Sequence, residues 1–154
     1  MILDPVNWLL VFLRVGAFLG FFPLFSMTNI PVRVRVALSA LTALLLAPGM
    51  PALAVPKSLL GLTGIMSVEV GIGLLLGFLC RLVFFTAEFA GSLVAMEIGL
   101  NMAASISPLS SDRSEVPALV LFYLAGLLFL TLDLHHWILV AFQRSYQVLP
   151  IGGA

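Results

Sequence analysis

The chain has 154 residues, of which 62% are apolar and only 9% charged, with a mean hydropathy of +1.20; soluble domains carry roughly a quarter charged residues, so a water-soluble globule is excluded. Seven Lys and Arg balance seven Asp and Glu, which leaves no basic field for nucleic acid and no acidic tail for basic partners. Cys80 is the only cysteine, so neither an intrachain disulfide nor a thiolate metal cluster can form.

The N-terminus, Met1-Ile2-Leu3-Asp4-Pro5, lacks the basic stretch of a secretory signal, and the apolar segment after it carries Arg14. It is therefore expected to remain as mature structure. Apolar runs bounded by Pro or polar clusters follow along the chain, and all of them read as helix, because a spanning segment must satisfy its own backbone groups in lipid. Helices are expected over about 6–25, 33–47, 58–85, 87–104, 116–132 and 135–149. The fold class is all-α: one domain of polytopic membrane-associated helices, several long and broken, arranged as helical hairpins.

The lengths do not suit lipid alone. About 20 residues at 1.5 Å rise cover the hydrocarbon, yet Val34 to Ala47 is short of that and Ser58 to Ala104 is about twice as long. A break is expected near Phe85 to Gly91, where Glu88 and Gly91 interrupt the apolar series, and a second at Asp133-Leu134-His135-His136. The clear loops are the Pro-rich stretch from Pro48 to Pro56 and the Ser-rich stretch from Ser105 to Pro117.

Charge inside apolar runs is the second anomaly. Arg14, Glu69, Arg81, Glu88, Glu97, Asp133 and Arg144 would each cost a few kcal/mol at the bilayer centre, so many helix faces are expected to meet protein or water. Arg81 and Glu88 share a face but lie two turns apart, too far for a direct pair; partners on other helices or chains are expected.

Gly16-x-x-x-Gly20 and Gly73-x-x-x-Gly77 place small residues on one helix face, suiting either packing within the chain or contact between subunits. Gly71-Ile72-Gly73 begins like a dinucleotide fingerprint, but the third glycine falls one residue late and no strand precedes it. His135 and His136 point about 100° apart on a helix and are not expected to chelate one metal as residues four apart do. With Asp133 they read first as polar residues at a helix break or at headgroup level, with a metal or proton-relay role as the lesser alternative. No G-x-S-x-G elbow or oriented Ser-His-Asp set marks a nucleophile. Arg33 and Arg35 suit either a juxtamembrane anchor, which puts their loop in the cytoplasm and the N-terminus outside, or a site for acidic groups of neighbouring subunits. The stretch Asn101 to Glu115 suits a solvent loop, or one that lines or closes a water-filled path.

Taken in order, the residues resemble one family, the type III export-gate proteins of the FliR/SctT kind. The resemblance runs from Arg14 to Pro23, through Ile30-Pro31 with Arg33, Pro48, and Glu69-Val70-Gly71-Ile72-Gly73 leading to Gly77-Phe78. It continues through Ala90-Gly91, Glu97-Ile98-Gly99-Leu100 and Ser107-Pro108, then Leu128-Phe129-Leu130, His135, Ser145-Tyr146 and Leu149-Pro150-Ile151-Gly152. Departures are Glu97 where the family usually has Gln, Ser107 where it has an acidic residue, and Asp133-Leu134 where it has Asn-Gly. The family also continues past the Pro-x-Gly into another apolar helical hairpin.

The resemblance implies a subunit of the flagellar export gate in the bacterial inner membrane, at the basal body, preferred over the injectisome on the Leu149-Pro150-Ile151-Gly152 ending. Its implied partners are FliP-like, FliQ-like and FlhB-like subunits, unfolded export substrates and membrane lipid. It further implies a plug that closes the pore, at Asn101, Met102, Ser105, Ser107, Pro108, Ser110 and Asp112. Subunit packing is expected to use Gly16, Gly20, Gly73, Gly77, Arg14, Glu69, Arg81, Glu88 and Glu97. No catalytic residue, cofactor or metal is expected. The alternative is a small secondary transporter or channel subunit spanning lipid in the ordinary way; an intramembrane enzyme would need a clustered nucleophile or metal site.

Overall fold

A computed structural model describes residues 5–26, 30–49, 58–99 and 116–151. Regular structure among the described residues is entirely helical. Helix α1 covers Pro5–Phe21, α2 Pro23–Ser26, α3 Val32–Leu46 with a 3-10 turn at Ala47–Gly49, α4 Leu59–Glu97, α5 Val116–Thr131 and α6 Leu134–Val148.

Proline sets several of these boundaries. Pro5 opens α1 and Pro23 opens α2, at the first helical position where a missing N–H costs nothing. Pro23 also disfavours helical backbone at the residue before it, which is why the expected helix over 6–25 is broken at Phe22. The Phe22 amide still donates to the Phe18 carbonyl at 2.8 Å, so the chain turns there without orphaning that donor. Pro31 plays the matching part before α3, extended at φ −58°, ψ 140°.

Two compact units make up the chain, one of Met1–Cys80 with Ile138–Ala154, the other of Arg81–Trp137. In the first, α1 buries Asn7, Leu10, Val11, Arg14, Val15, Phe18 and Leu19. That spacing of three and four is one continuous helix stripe, and it places Arg14 in the middle of the apolar core. Helix α3 packs on α1 through its small residues Ser39 and Ala43, and a Cβ added at Gly16 would sit 3.7 Å from the Ser39 hydroxyl. Glu69, Gly73 and Gly77, each four residues on, turn the buried face of α4 to α1. Phe142 of α6 meets Phe18 edge-on with ring centroids 5.1 Å apart, a favoured aromatic geometry.

The second unit is organised by Phe84 of α4, whose ring lies 5.4 Å from Phe122 and 6.0 Å from Phe129 of α5. Gly91 lies against the backbone of α5: a Cβ there would come within 2.6 Å of the Ala118 nitrogen and 2.7 Å of the Pro117 carbonyl oxygen.

This corrects the expected break near Phe85 to Gly91. Leu59–Glu97 is one helix, with Glu88 and Gly91 inside it. Breaking a helix in apolar surroundings orphans backbone groups at several kcal/mol each, whereas an interior glycine costs about 1 kcal/mol. The continuous helix wins, and Gly91 serves close packing instead. Helix α4 ends at Glu97 rather than near 104, and Gly99 at φ +74° supplies the left-handed residue that closes such ends. The break expected at Asp133 to His136 is present as the turn between α5 and α6, with Asp133 at φ 54°. Asn and Asp both tolerate that conformation, so Asp133 can stand where the resembling family has Asn.

Among the described residues α4 is the helix long and apolar enough to cross a membrane, and α5 and α6 are so only taken together as a bent pair. At 1.5 Å per residue its 39 residues reach about twice the roughly 30 Å of bilayer hydrocarbon. Its outward side chains are large and bare: Leu75 is 58% exposed and Val83 66%. An apolar surface of this extent needs lipid or protein against it. The chain is an all-α membrane protein.

Candidate functional site

The most highly organised polar site lies inside the first unit, around Arg14, which has no exposed surface. Its Nε donates to Glu69 Oε2 at 2.6 Å, Nη1 to Ser145 Oγ at 3.0 Å and Nη2 to the Leu149 carbonyl at 3.3 Å. The guanidinium carbon stands 3.8 Å from the centre of the Tyr146 ring. One side chain of α1 thus ties together α4, α6 and the turn after α6.

Arginine suits this position physically. Its planar fork offers five donors in fixed directions, and its delocalised charge stacks on an aromatic face, neither of which lysine can reproduce. Glu69 is also fully buried, so the pair compensates two charges that would each be costly alone. Satisfaction is incomplete: Glu69 Oε1 and the Tyr146 hydroxyl are buried and make no hydrogen bond among the described residues. A buried pair of this kind adds little net stability over an apolar replacement, but removing one member leaves the other uncompensated. The cluster can hold segments in register; it presents no nucleophile with an adjacent base.

The remaining sequence-derived site residues fall as follows. Arg14 and Glu69 come together; their partner is within this chain, although the two are 55 residues apart. Gly73 meets the Arg14 carbonyl and Ala17, and Gly77 meets Phe18 and Phe21, so this glycine pair serves packing of α4 on α1. Gly16 faces Ser39, whereas Gly20 is exposed with nothing within 4 Å of a Cβ. Arg81, Glu88 and Glu97 are exposed and belong to the other unit. The plug residues Asn101, Met102, Ser105, Ser107, Pro108, Ser110 and Asp112 lie outside the described residues.

Ser145, Tyr146 and Leu149 stood out in the sequence only as residues of the family resemblance, and their place in the Arg14 site was not expected. The available signal was an Arg and a Glu of opposite sign in two apolar helices, and a Ser-Tyr pair one turn before Leu149 in a third. The adjacent histidines stand close to Asp133: His135 Nε2 and His136 Nδ1 each lie 3.8 Å from Asp133 Oδ1. The far ring nitrogen of His135 and the near ring nitrogen of His136 thus approach the same carboxylate oxygen.

The family model described as "Bacterial export proteins, family 1" matches residues 6–154. The chain belongs to this family. Among relatives, the flagellar biosynthetic protein FliR of Escherichia coli (strain K12) is 31% identical over 152 residues, covering 96% of this chain and 58% of that protein. FliR of Caulobacter vibrioides is 36% identical over 147 residues, 94% of this chain and 59% of that protein, and FliR of Pectobacterium carotovorum 33% over 153 residues. The chain therefore spans under three fifths of the length of these curated relatives. Within the family match lie Arg14, Glu69, Ser145, Tyr146 and Leu149, so the whole buried cluster sits in the export-family part of the sequence.

Proposed function

We propose that this chain is a subunit of the flagellar type III protein export gate, helping to form and close the pore through which unfolded flagellar proteins leave the cell. The observation that carries this is the family match along nearly the entire chain, with relatives named flagellar biosynthetic proteins. The physics supports it independently. A 39-residue apolar helix with bare Leu and Val faces, and exposed Glu88 and Glu97 on that same helix, suits a surface shared between lipid and sibling subunits.

In this reading the chain sits in the bacterial inner membrane at the flagellar basal body and works as a structural element of the gate. FliP-like and FliQ-like subunits cover its apolar faces, a FlhB-like subunit adjoins it, and Gly20 with Arg81, Glu88 and Glu97 supplies contacts to them. The direct test is co-purification with FliP-like and FliQ-like proteins followed by mass measurement of the intact complex. A defined complex containing this chain is expected. Recovery as a solitary, stable monomer that transports a small solute would replace the proposal with a conventional carrier.

The stretch Asn101 to Glu115 is proposed as the plug. Deleting Ser105 to Ser111 is expected to raise the ion conductance of membranes carrying the assembled gate, measured as dye or current leak. Unchanged conductance with normal assembly would count against a plug there.

A further inference from the structure

The turn between α5 and α6 brings together three side chains that the export function leaves unused. The ligand atoms of Asp133, His135 and His136 all lie within 4.8 Å of one another, and both ring nitrogens are 3.8 Å from the same carboxylate oxygen. The two imidazole rings are 4.2 Å apart, centre to centre. Around a zinc ion, with ligands about 2.0 to 2.2 Å from the metal, tetrahedral ligand atoms stand roughly 3.3 to 3.6 Å from each other. The observed spacing needs only small rotations of side chains that are 45%, 73% and 68% exposed for His135, Asp133 and His136.

We propose that Asp133, His135 and His136 form a binding site for a divalent transition-metal ion, with His135 Nε2, His136 Nδ1 and the Asp133 carboxylate as ligands and water in the open position. Two imidazoles and one carboxylate select borderline ions such as Zn2+ or Ni2+ and discriminate against Mg2+ and Ca2+, which want more oxygen donors. The use of unlike ring nitrogens is what makes adjacent histidines workable. The left-handed backbone at Asp133 carries its carboxylate on the turn itself, one residue ahead of the helix that carries the histidines. A bound ion clips the turn to the first turn of α6. The metal is thus a local brace on this bend, separate from the Arg14 cluster in the other unit.

The test is Zn2+ titration of the full chain, purified in detergent with whatever subunits accompany it, comparing wild type with His135→Ala, His136→Ala, Asp133→Asn and the double histidine variant. Wild type is expected to bind about one more Zn2+ per chain than the double variant, and each single histidine change to weaken binding by about tenfold or more. An excess of Mg2+ or Ca2+ should not displace the ion. Equal Zn2+ uptake by wild type and double variant, or displacement by Ca2+, overturns the site. Should the variants fail to assemble, Co2+ added to the wild type decides: an absorption spectrum of imidazole-bound cobalt supports the site, and that of the hydrated ion overturns it.

Discussion

Replacing Arg14 by Ala is expected to cost about 3 to 5 kcal/mol, because it strands the Glu69 carboxylate in a site with no exposed surface. Against a total stability of about 5 to 15 kcal/mol, that is a fifth or more of the whole, enough to lower the abundance of the chain several-fold. The loss should be visible as reduced steady-state abundance and a lowered thermal transition in detergent. Arg14→Lys keeps the charge but loses the fork to Ser145 and the Leu149 carbonyl and the stacking on Tyr146, so it should fall between the two. The decisive comparison is the double variant Arg14→Met with Glu69→Leu. It removes both charges together and should regain most of the abundance lost by Arg14→Ala. If Arg14→Ala alone is as abundant and stable as the parent, the cluster does not organise this unit.

The second large effect is expected at Gly73. A Cβ there runs into the Arg14 carbonyl oxygen and comes 2.9 Å from the Ala17 Cβ. The carbonyl belongs to the α1 backbone and cannot swing away like a side chain, so α1 and α4 must separate. Overpacking of this kind costs about 1 to 3 kcal/mol, which outweighs the roughly 1 kcal/mol that alanine gains over glycine in a helix. Separation also lengthens the Arg14 to Glu69 contact, so Gly73→Ala should resemble a weakened form of Arg14→Ala in thermal unfolding. Gly20→Ala is the matched control, since that position is open. It should leave the stability of the chain within about 0.5 kcal/mol of the parent. If it nevertheless lowers recovery of the proposed complex with FliP-like and FliQ-like proteins, Gly20 is a subunit contact. A Gly73→Ala protein as stable as Gly20→Ala would show that the two helices are not held as close as described.

Much of the fold was legible in the sequence, for identifiable reasons. Pro5 and Pro31 are strong local punctuation, and α1 and α3 start where they direct; Pro23 is equally strong, yet the apolar series runs on across it and masks the break at Phe22. The turn at Asp133 could be expected because polar groups interrupt an apolar run that is too long for one span. The course of α4 through Gly91 could not. A glycine in an apolar series reads equally as a break or as a point of close approach, and only the neighbouring helix, with Ala118 and Pro117 against it, decides between them.

The candidate site was half legible in the same sense. Charges at Arg14 and Glu69 stood out as expensive, but nothing local said that one answers the other across 55 residues. The third segment is harder still, because it contributes a backbone carbonyl at Leu149 that carries no sequence signature. At the histidines the geometry turns on a finer detail. Neighbouring side chains diverge at Cβ, but imidazole has two nitrogens at different reach, so their angular spacing alone does not fix where the ring nitrogens stand.

The wide sequence separations within the Arg14 cluster have a consequence for biosynthesis. A ribosome adding about 5 to 20 residues per second delivers Glu69 roughly 3 to 11 s after Arg14, since 55 residues separate them, and Ser145 comes 131 residues after Arg14. During that interval the first helix carries an unneutralised guanidinium. It must wait in the hydrated interface or in the care of the insertion machinery before it can sink among its apolar neighbours. Final burial of α1 is therefore a late event in the life of the nascent chain, completed only when α6 arrives.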